Sequence, residues 1–328
     1  MNFKIEQIHS WLKMLLGEEP YTFDMVTADA SFRQYYRIKQ GDQTWVLMDA
    51  PPEKEKPDIF FRVARLMQSY GMKVPDCIAY HQELGLILLT DFGDQQLFHV
   101  KNTVCQDVLY NTAIDMIFSF RKIDSSLVPA YEYRKFCSEV DLLTEWFYPF
   151  IGYQPSCGVK QGFERLRHEL AQSCLVQPQV FIHRDFHSRN LMVLSSDSLG
   201  MLDFQDAVCG PITYDLVSLL RDCYISFEDE YVYEKVRMVY DVFQEQLEGV
   251  DFLTFKRWFD WAGLQRHLKC LGIFSRLKLR DDRDDFLPHI PRVVGYVSQV
   301  LNKYEALSYF NEIWQREVLP VMSLSEEK

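Results

Sequence analysis

The sequence predicts a bilobal α+β fold, with a small β-sheet N-lobe over residues 1–92 and a larger helical C-lobe over residues 93–328. Three observations carry that expectation. Period-two alternation and turn residues dominate the first 95 positions. Apolar residues recur at three- and four-residue steps from about residue 103, and short strand-like runs return only between 179 and 204. A composition of 48% hydrophobic and 25% charged residues supplies the core such a fold needs.

The elements follow in order. MNFKIEQIHSWLKMLLGEE reads as an amphipathic helix, because charges interrupt the apolar stretch that a signal peptide requires. Residues 21–49 read as β structure: Tyr35, Arg37 and Lys39 alternate with Tyr36 and Ile38, and Gly41-Asp42 turns the chain into TWVLMD. Pro51-Pro52 closes that strand, and DIFFRVARLMQSY (58–70) has helical spacing that stops at Gly71. CIAYH and GLILLT are two further strands joined by a turn at 83–85. Beyond them VCQDVLYNTAIDMIFSFRKI, SEVDLLTEWFYPFI and FERLRHELAQSCL are expected helices, and the pattern is helical again from 213 to 328.

Charge and cysteines narrow the class. A net charge of −12 argues against a nucleic-acid partner, which would require a basic stripe to displace counterions. No run approaches the ~18 apolar residues of a membrane span, so no membrane partner is expected. Eight scattered cysteines without a C-x-x-C pair suit reduced thiols, and the expected compartment is the cytoplasm.

The chemistry sits in FIHRDFHSRNLMV and the LGMLDFQDA that follows it. His183-Arg184-Asp185 with Asn190 matches H-R-D-x-x-x-x-N, in which the Asp accepts a hydroxyl proton and the Asn holds Mg²⁺. Thirteen residues beyond Asn190, Asp203 ends another short strand, where a second carboxylate bridges the metal to ATP phosphates. Asp185 is therefore the expected catalytic base, Asn190 and Asp203 the metal ligands, and ATP with Mg²⁺ the cofactors. An earlier triplet, Asp91-Phe92-Gly93, copies the kinase metal motif but precedes the catalytic loop. It is expected instead between the lobes, with the Thr90, Asp91 and Phe92 backbone on the adenine edge and Gly93 turning the chain.

The loop Asp185-Phe186-His187-Ser188-Arg189-Asn190 and the downstream GPITYDL resemble the aminoglycoside-phosphotransferase-like small-molecule kinases, a protein-kinase-like superfamily. That resemblance implies that Asp215 braces the catalytic loop; its local alternative is a carboxylate at the start of a helix. Residues 28–35, ADASFRQY, stand where a Gly-rich phosphate loop is expected, giving Ala30, Ser31, Phe32 and Arg33 as ATP-binding candidates. Where V-A-I-K would supply a lysine, this chain has Val46-Leu47-Met48-Asp49, and residues 58–70 offer no glutamate to pair with one. Either the protein is a nucleotide-binding scaffold without chemistry or another cation serves, with Arg33 best placed; the presence of Asp185, Asn190 and Asp203 favours chemistry.

DASFRQYYRI, VLMDAPPEKE, DFQDAVCGPITYDLVSLLRDCY and LQRHLKCLGIFSRL together resemble one bacterial branch, the anomeric N-acetylmuramate/N-acetylglucosamine kinases of cell-wall recycling, over residues 27–280. The resemblance implies ATP-dependent phosphorylation of an amino sugar at its C1 hydroxyl. Expected sugar contacts are Glu145, Trp146, His187, Asp206, Arg266 and Lys269. Arg266 and Lys269, three apart, share a helix face and suit a lactyl carboxylate; a solvated basic face or internal ion pairs is the competing reading. Another hydroxyl phosphotransferase of the superfamily is the rival enzyme.

Overall fold

The computed structural model describes residues 2–28, 32–100, 103 and 105–326. The expected phosphate-loop residues Ala30 and Ser31 lie outside that set. Helix α1 (Asn2–Leu16) precedes strands β1 (Thr22–Ala28), β2 (Gln34–Gln40) and β3 (Gln43–Asp49). Helix α2 (Pro57–Ser69) then leads to β4 (Cys77–His81) and β5 (Leu86–Thr90). The five strands form one antiparallel sheet in the order β1-β2-β3-β5-β4. Alternation decides its faces. Ile38, Leu47, Leu86 and Leu88 pack against Ile8, Trp11 and Leu12 of α1, with Tyr36 and Trp45 at the margin. Tyr35, Arg37, Val46 and Met48, of the opposite parity, face away from α1.

The chain returns to this unit later. Cα proximity groups residues 1–95 with 192–205, and residues 96–191 with 206–328. The single boundary expected at 92/93 misses that second passage. The β7 (Leu191–Ser195) and β8 (Ser198–Met201) ribbon is fixed to the first unit by Val193 N–H donating to the Gln95 carbonyl (2.7 Å) and Met201 N–H to that of Lys73 (2.8 Å).

The second unit is helical. It holds α3 (Gln106–Phe120), α4 (Tyr133–Leu142), α5 (Tyr148–Ile151) and α6 (Cys157–Leu175). A short pair, β6 (Gln179–Ile182) and β9 (Val208–Pro211), comes next in space. Then follow α7 (Tyr214–Leu220), α8 (Asp229–Phe243), α9 (Phe252–Asp281), α10 (Ile290–Lys303), α11 (Ser308–Ile313) and α12 (Leu319–Glu326). The expected single helix SEVDLLTEWFYPFI is α4 and α5 joined by a π-helical turn, Leu143–Phe147. Helix α9 runs 30 residues, about 45 Å, through the middle of the unit and is buried on all sides between Ala262 and Gly272. At Gly272 a Cβ would stand 2.4 Å from the Leu142 carbonyl group, so only glycine lets α4 and α9 approach this closely. That approach brings polar residues of the two helices face to face, and buried polar groups must find partners.

Candidate active site

Residues 183–190 run between β6 and β7. Arg184 adopts φ 74°, a left-handed conformation costing about 1–3 kcal/mol in a non-glycine residue. Several clamps hold it. His183 and Arg184 N–H groups donate to the two carboxylate oxygens of Asp215 (2.6 and 2.9 Å), and Ser188 N–H donates to Asp222 (2.9 Å). The Asp222 contact was not foreseen from sequence. Asn190 Nδ2 donates to the Asp185 carbonyl at 2.9 Å, closing the loop on itself. Phe186 is fully buried, edge-on to Phe120. Burial pushes the Asp215 carboxyl up to about 7, opposed by its two N–H donors.

Beneath the loop lies a charge cluster. The Arg184 guanidinium donates to Glu139 at 2.6 Å, Lys269 Nζ stands 3.7 Å from the same carboxylate oxygen, and Tyr131 donates its hydroxyl to the other. Arg266 and Lys269 are 3% and 7% exposed, which removes the solvated-face reading. Arg266 Nη1 contacts Cys223 Sγ at 3.6 Å. Burial alone would raise the Asp185 carboxyl, but Lys269, then Arg184, His187 and Arg266, overcome it and hold it well below the usual carboxylate range. Burial lowers His187, opposed by the nearby Asp222 and Asp185 carboxylates. Its ring meets Tyr224 edge-on, and Arg189 lies 3.8 Å over that same Tyr224 ring with its Nη2 3.1 Å from His289.

The other expected sugar contacts stand differently. Asp206 is engaged by Arg184, which donates to its carbonyl at 3.3 Å. Glu145 is exposed, and its charge is felt by Arg276, seven residues and about 10 Å along α9 from Lys269. Trp146 is half-buried beside it on the π-helical turn. The structure brings Arg266, Lys269 and His187 to Asp185, and gives no such contact for Glu145 or Trp146. Glu139 was missed altogether. Its signal was available: it lies three residues after Phe136 and four before Leu143, a carboxylate inside an apolar stripe.

The first unit carries the remaining candidates. Asp203, at φ 60°, accepts from Gln205 Nε2 at 2.7 Å, and Phe204 is fully buried against Phe60. Arg33 Nη1 lies 3.9 Å from Asp203, while its Nε donates to Glu55 at 3.1 Å. The glutamate absent from 58–70 is thus present just ahead of α2. Phe32 is exposed, its ring covered by Lys54 Nζ at 4.5 Å. Asp91 accepts from Arg37 Nε (2.7 Å) and Nη2 (3.0 Å) and from Gly93 N–H (2.9 Å), with Gly93 at φ 78°. Burial tends to raise the Asp91 carboxyl, but Arg37 and the Gly93 N–H prevail and hold it low. Asp91 is therefore a structural acid. Asp49 points to α1, accepting from Lys4 Nζ at 2.7 Å, so the β3 position facing away from α1 is Met48.

Residues 25–245 match the model of a phosphotransferase enzyme family (APH), and the chain belongs to that family. Two curated relatives carry the name N-acetylmuramate/N-acetylglucosamine kinase. The one from Neisseria meningitidis is 34% identical over 92% of this chain and 92% of its own length. The one from Pseudomonas aeruginosa is 33% identical over 94% of this chain and 96% of its own. Among solved structures, the ADP-bound aminoglycoside phosphotransferase APH(2'')-Ib superposes with TM-score 0.59 at 13% identity, over 90% of this chain and 98% of that one. A Plasmodium vivax ethanolamine kinase has TM-score 0.59 at 10% identity, over 84% of this chain and 82% of its own. These last two establish the shared fold.

Proposed function

We propose that the protein transfers the γ-phosphoryl group of ATP to the anomeric hydroxyl of N-acetylmuramate or N-acetylglucosamine, in the cytoplasm, as a step of cell-wall recycling, with no nucleic-acid partner. The observation that carries this reading is the Asp185 loop clamped by the Asp215 and Asp222 carboxylates, with the buried cations Arg266 and Lys269 acting on the Asp185 carboxyl. The names of the relatives supply the sugar.

Asp185 orients the acceptor hydroxyl and takes its proton as the new O–P bond forms and the bond to the departing ADP oxygen breaks. In a loose transition state, proton transfer to a weak base comes late, so a depressed pKa is compatible with the role. The fixed loop contributes by positioning. Asn190 and Asp203 would hold Mg²⁺, since the hard oxygen donors of an amide and a carboxylate suit that ion. When bound, Mg²⁺ neutralises charge on the phosphates. The backbone of Thr90, Asp91 and Phe92 is the adenine contact in this reading. Lys269 already shares its charge with Glu139, whereas Arg266 contacts a thiol, so Arg266 is the better cation for the carboxylate of an acidic sugar.

Incubation with Mg-ATP and either sugar should release ADP in step with loss of the reducing end. Turnover on another alcohol and on neither sugar would refute the substrate assignment; ATP binding without any transfer would favour a scaffold. Asp185→Asn should lower kcat about 10²–10⁴-fold with nucleotide binding retained.

A further inference from the structure

The first unit lacks a lysine on β3, yet its sheet carries a cation on the same face by another route. Tyr36 and Ile38 of β2 and Trp45 and Leu47 of β3 pack toward α1, and Asp49 follows that parity to meet Lys4. Tyr35 pairs with Met48 in register, on the opposite face. Arg33 stands immediately before β2 with the parity of Tyr35 and Arg37. Its side chain therefore enters from the face that Met48 occupies, one strand over. Met48 itself is fully buried and apolar, so it supplies packing where a lysine would supply charge.

Glu55 holds this arginine and the residue before it. One carboxylate oxygen accepts from Arg33 Nε at 3.1 Å, and the other accepts the Phe32 N–H at 3.1 Å. Both side chains are largely buried, at 14% and 12% exposure, which strengthens the pair relative to a surface one. With Nε committed to Glu55, the guanidinium directs Nη1 toward Asp203, which stays 40% exposed at 3.9 Å. That separation is too long for a strong hydrogen bond. A planar guanidinium offers a fork of donors that matches phosphate oxygens.

We propose that Arg33 is the cation that binds the nucleotide phosphates beside Asp203, in place of the absent β3 lysine, and that Glu55 is its positioning residue. The inference rests on the reading of the protein as an ATP-dependent phosphotransferase. It assigns Glu55 a role that no spacing rule of the sequence provides, since Glu55 lies outside α2, where a pairing glutamate is usually sought.

The test is calorimetric binding of Mg–AMP-PNP, with adenosine as the phosphate-free control and thermal melting as the fold check. Arg33→Ala should weaken Mg–AMP-PNP binding about ten- to a hundredfold while leaving adenosine within about twofold. Glu55→Gln should produce a smaller loss of the same selectivity, and Arg33→Lys should recover part of the binding. The decisive variant is Arg33→Ala combined with Met48→Lys. A lysine on the same face of the next strand should regain about tenfold of the lost affinity, which a merely structural role for Arg33 would not allow. Unchanged Mg–AMP-PNP binding in a folded Arg33→Ala protein would overturn the proposal. So would an equal loss of adenosine, or no recovery from Met48→Lys. Should Arg33→Ala fail to fold, Glu55→Gln decides, and equal effects on both ligands overturn the proposal. Arg33-dependent binding in a protein that phosphorylates neither sugar would leave this proposal standing and remove the substrate assignment.

Discussion

Glu139→Gln isolates the charge cluster under the catalytic loop. The substitution keeps the shape and removes one negative charge from a site only 4% exposed. Its consequences can be read from the contacts. Arg184 loses its 2.6 Å partner, and Lys269, itself buried, loses the carboxylate 3.7 Å away, so two cations remain with Asp185 as their shared counter-ion. Removing one partner of a buried pair costs about 3–5 kcal/mol, because the partner left behind is uncompensated. For a unit of this size each kcal/mol lowers the melting temperature by about 2–4 °C. The turnover number should fall as well, because Arg184 sits in a left-handed conformation that the Glu139 contact helps to sustain. Urea titration and thermal melting measure the first effect, and steady-state kinetics the second. A double-mutant cycle with Lys269→Met then reports the coupling: once Lys269 is gone, Glu139→Gln should cost about 1–3 kcal/mol less. A single-variant loss below about 1 kcal/mol, with no coupling to Lys269, would refute the account of the cluster.

Three further predictions follow from the site. Asp91→Asn should keep kcat within about fivefold, since Asp91 answers Arg37, whereas Asp203→Asn should lower kcat about 10²–10³-fold and weaken the response to Mg²⁺; steady-state assays of the two variants side by side decide this. Lys269→Met removes the leading cation that depresses Asp185, so the carboxyl should titrate at higher pH. The acid-side fall in kcat/KM should then move upward relative to the parent protein, and coincident pH profiles would count against Asp185 as the base. Gly272→Ala should destabilise by about 1–3 kcal/mol, measured by melting, because the added Cβ meets the Leu142 backbone at 2.4 Å.

The fold was legible because it is written in short-range periodicity. Strands β2 and β3 and helices such as α2 and α10 show their period, and the order of HRD loop and Asp203 along the chain distinguishes the latter from Asp91. What was not legible depends on tertiary placement. The parity of β3 moves the lysine-equivalent position from Asp49 to Met48, and only the pairing with α1 reveals it. Arg266 and Lys269 read equally well as a solvated face until α9 is seen to be buried on every side from Ala262 to Gly272. Glu55 and Glu139 have ordinary neighbours in sequence, and their meaning lies in the arginines they meet, 22 and 45 residues away. The return of residues 192–205 to the first unit has no local signal at all.

The excess of acidic residues is reconciled with an anionic cosubstrate by the way cations are installed. Arg33 stands on Glu55, Arg37 on Asp91, and Arg184 and Lys269 on Glu139. Each carboxylate offsets part of the desolvation of its cation and fixes its direction, so the charge arrives pre-oriented and not as a diffuse field. The arrangement favours geometry over long-range attraction. It also explains why deleting a supporting acid, which nominally makes the site more positive, is expected to weaken function. The cation remains, but nothing holds it in place, and positioning is the term that phosphoryl transfer draws on most.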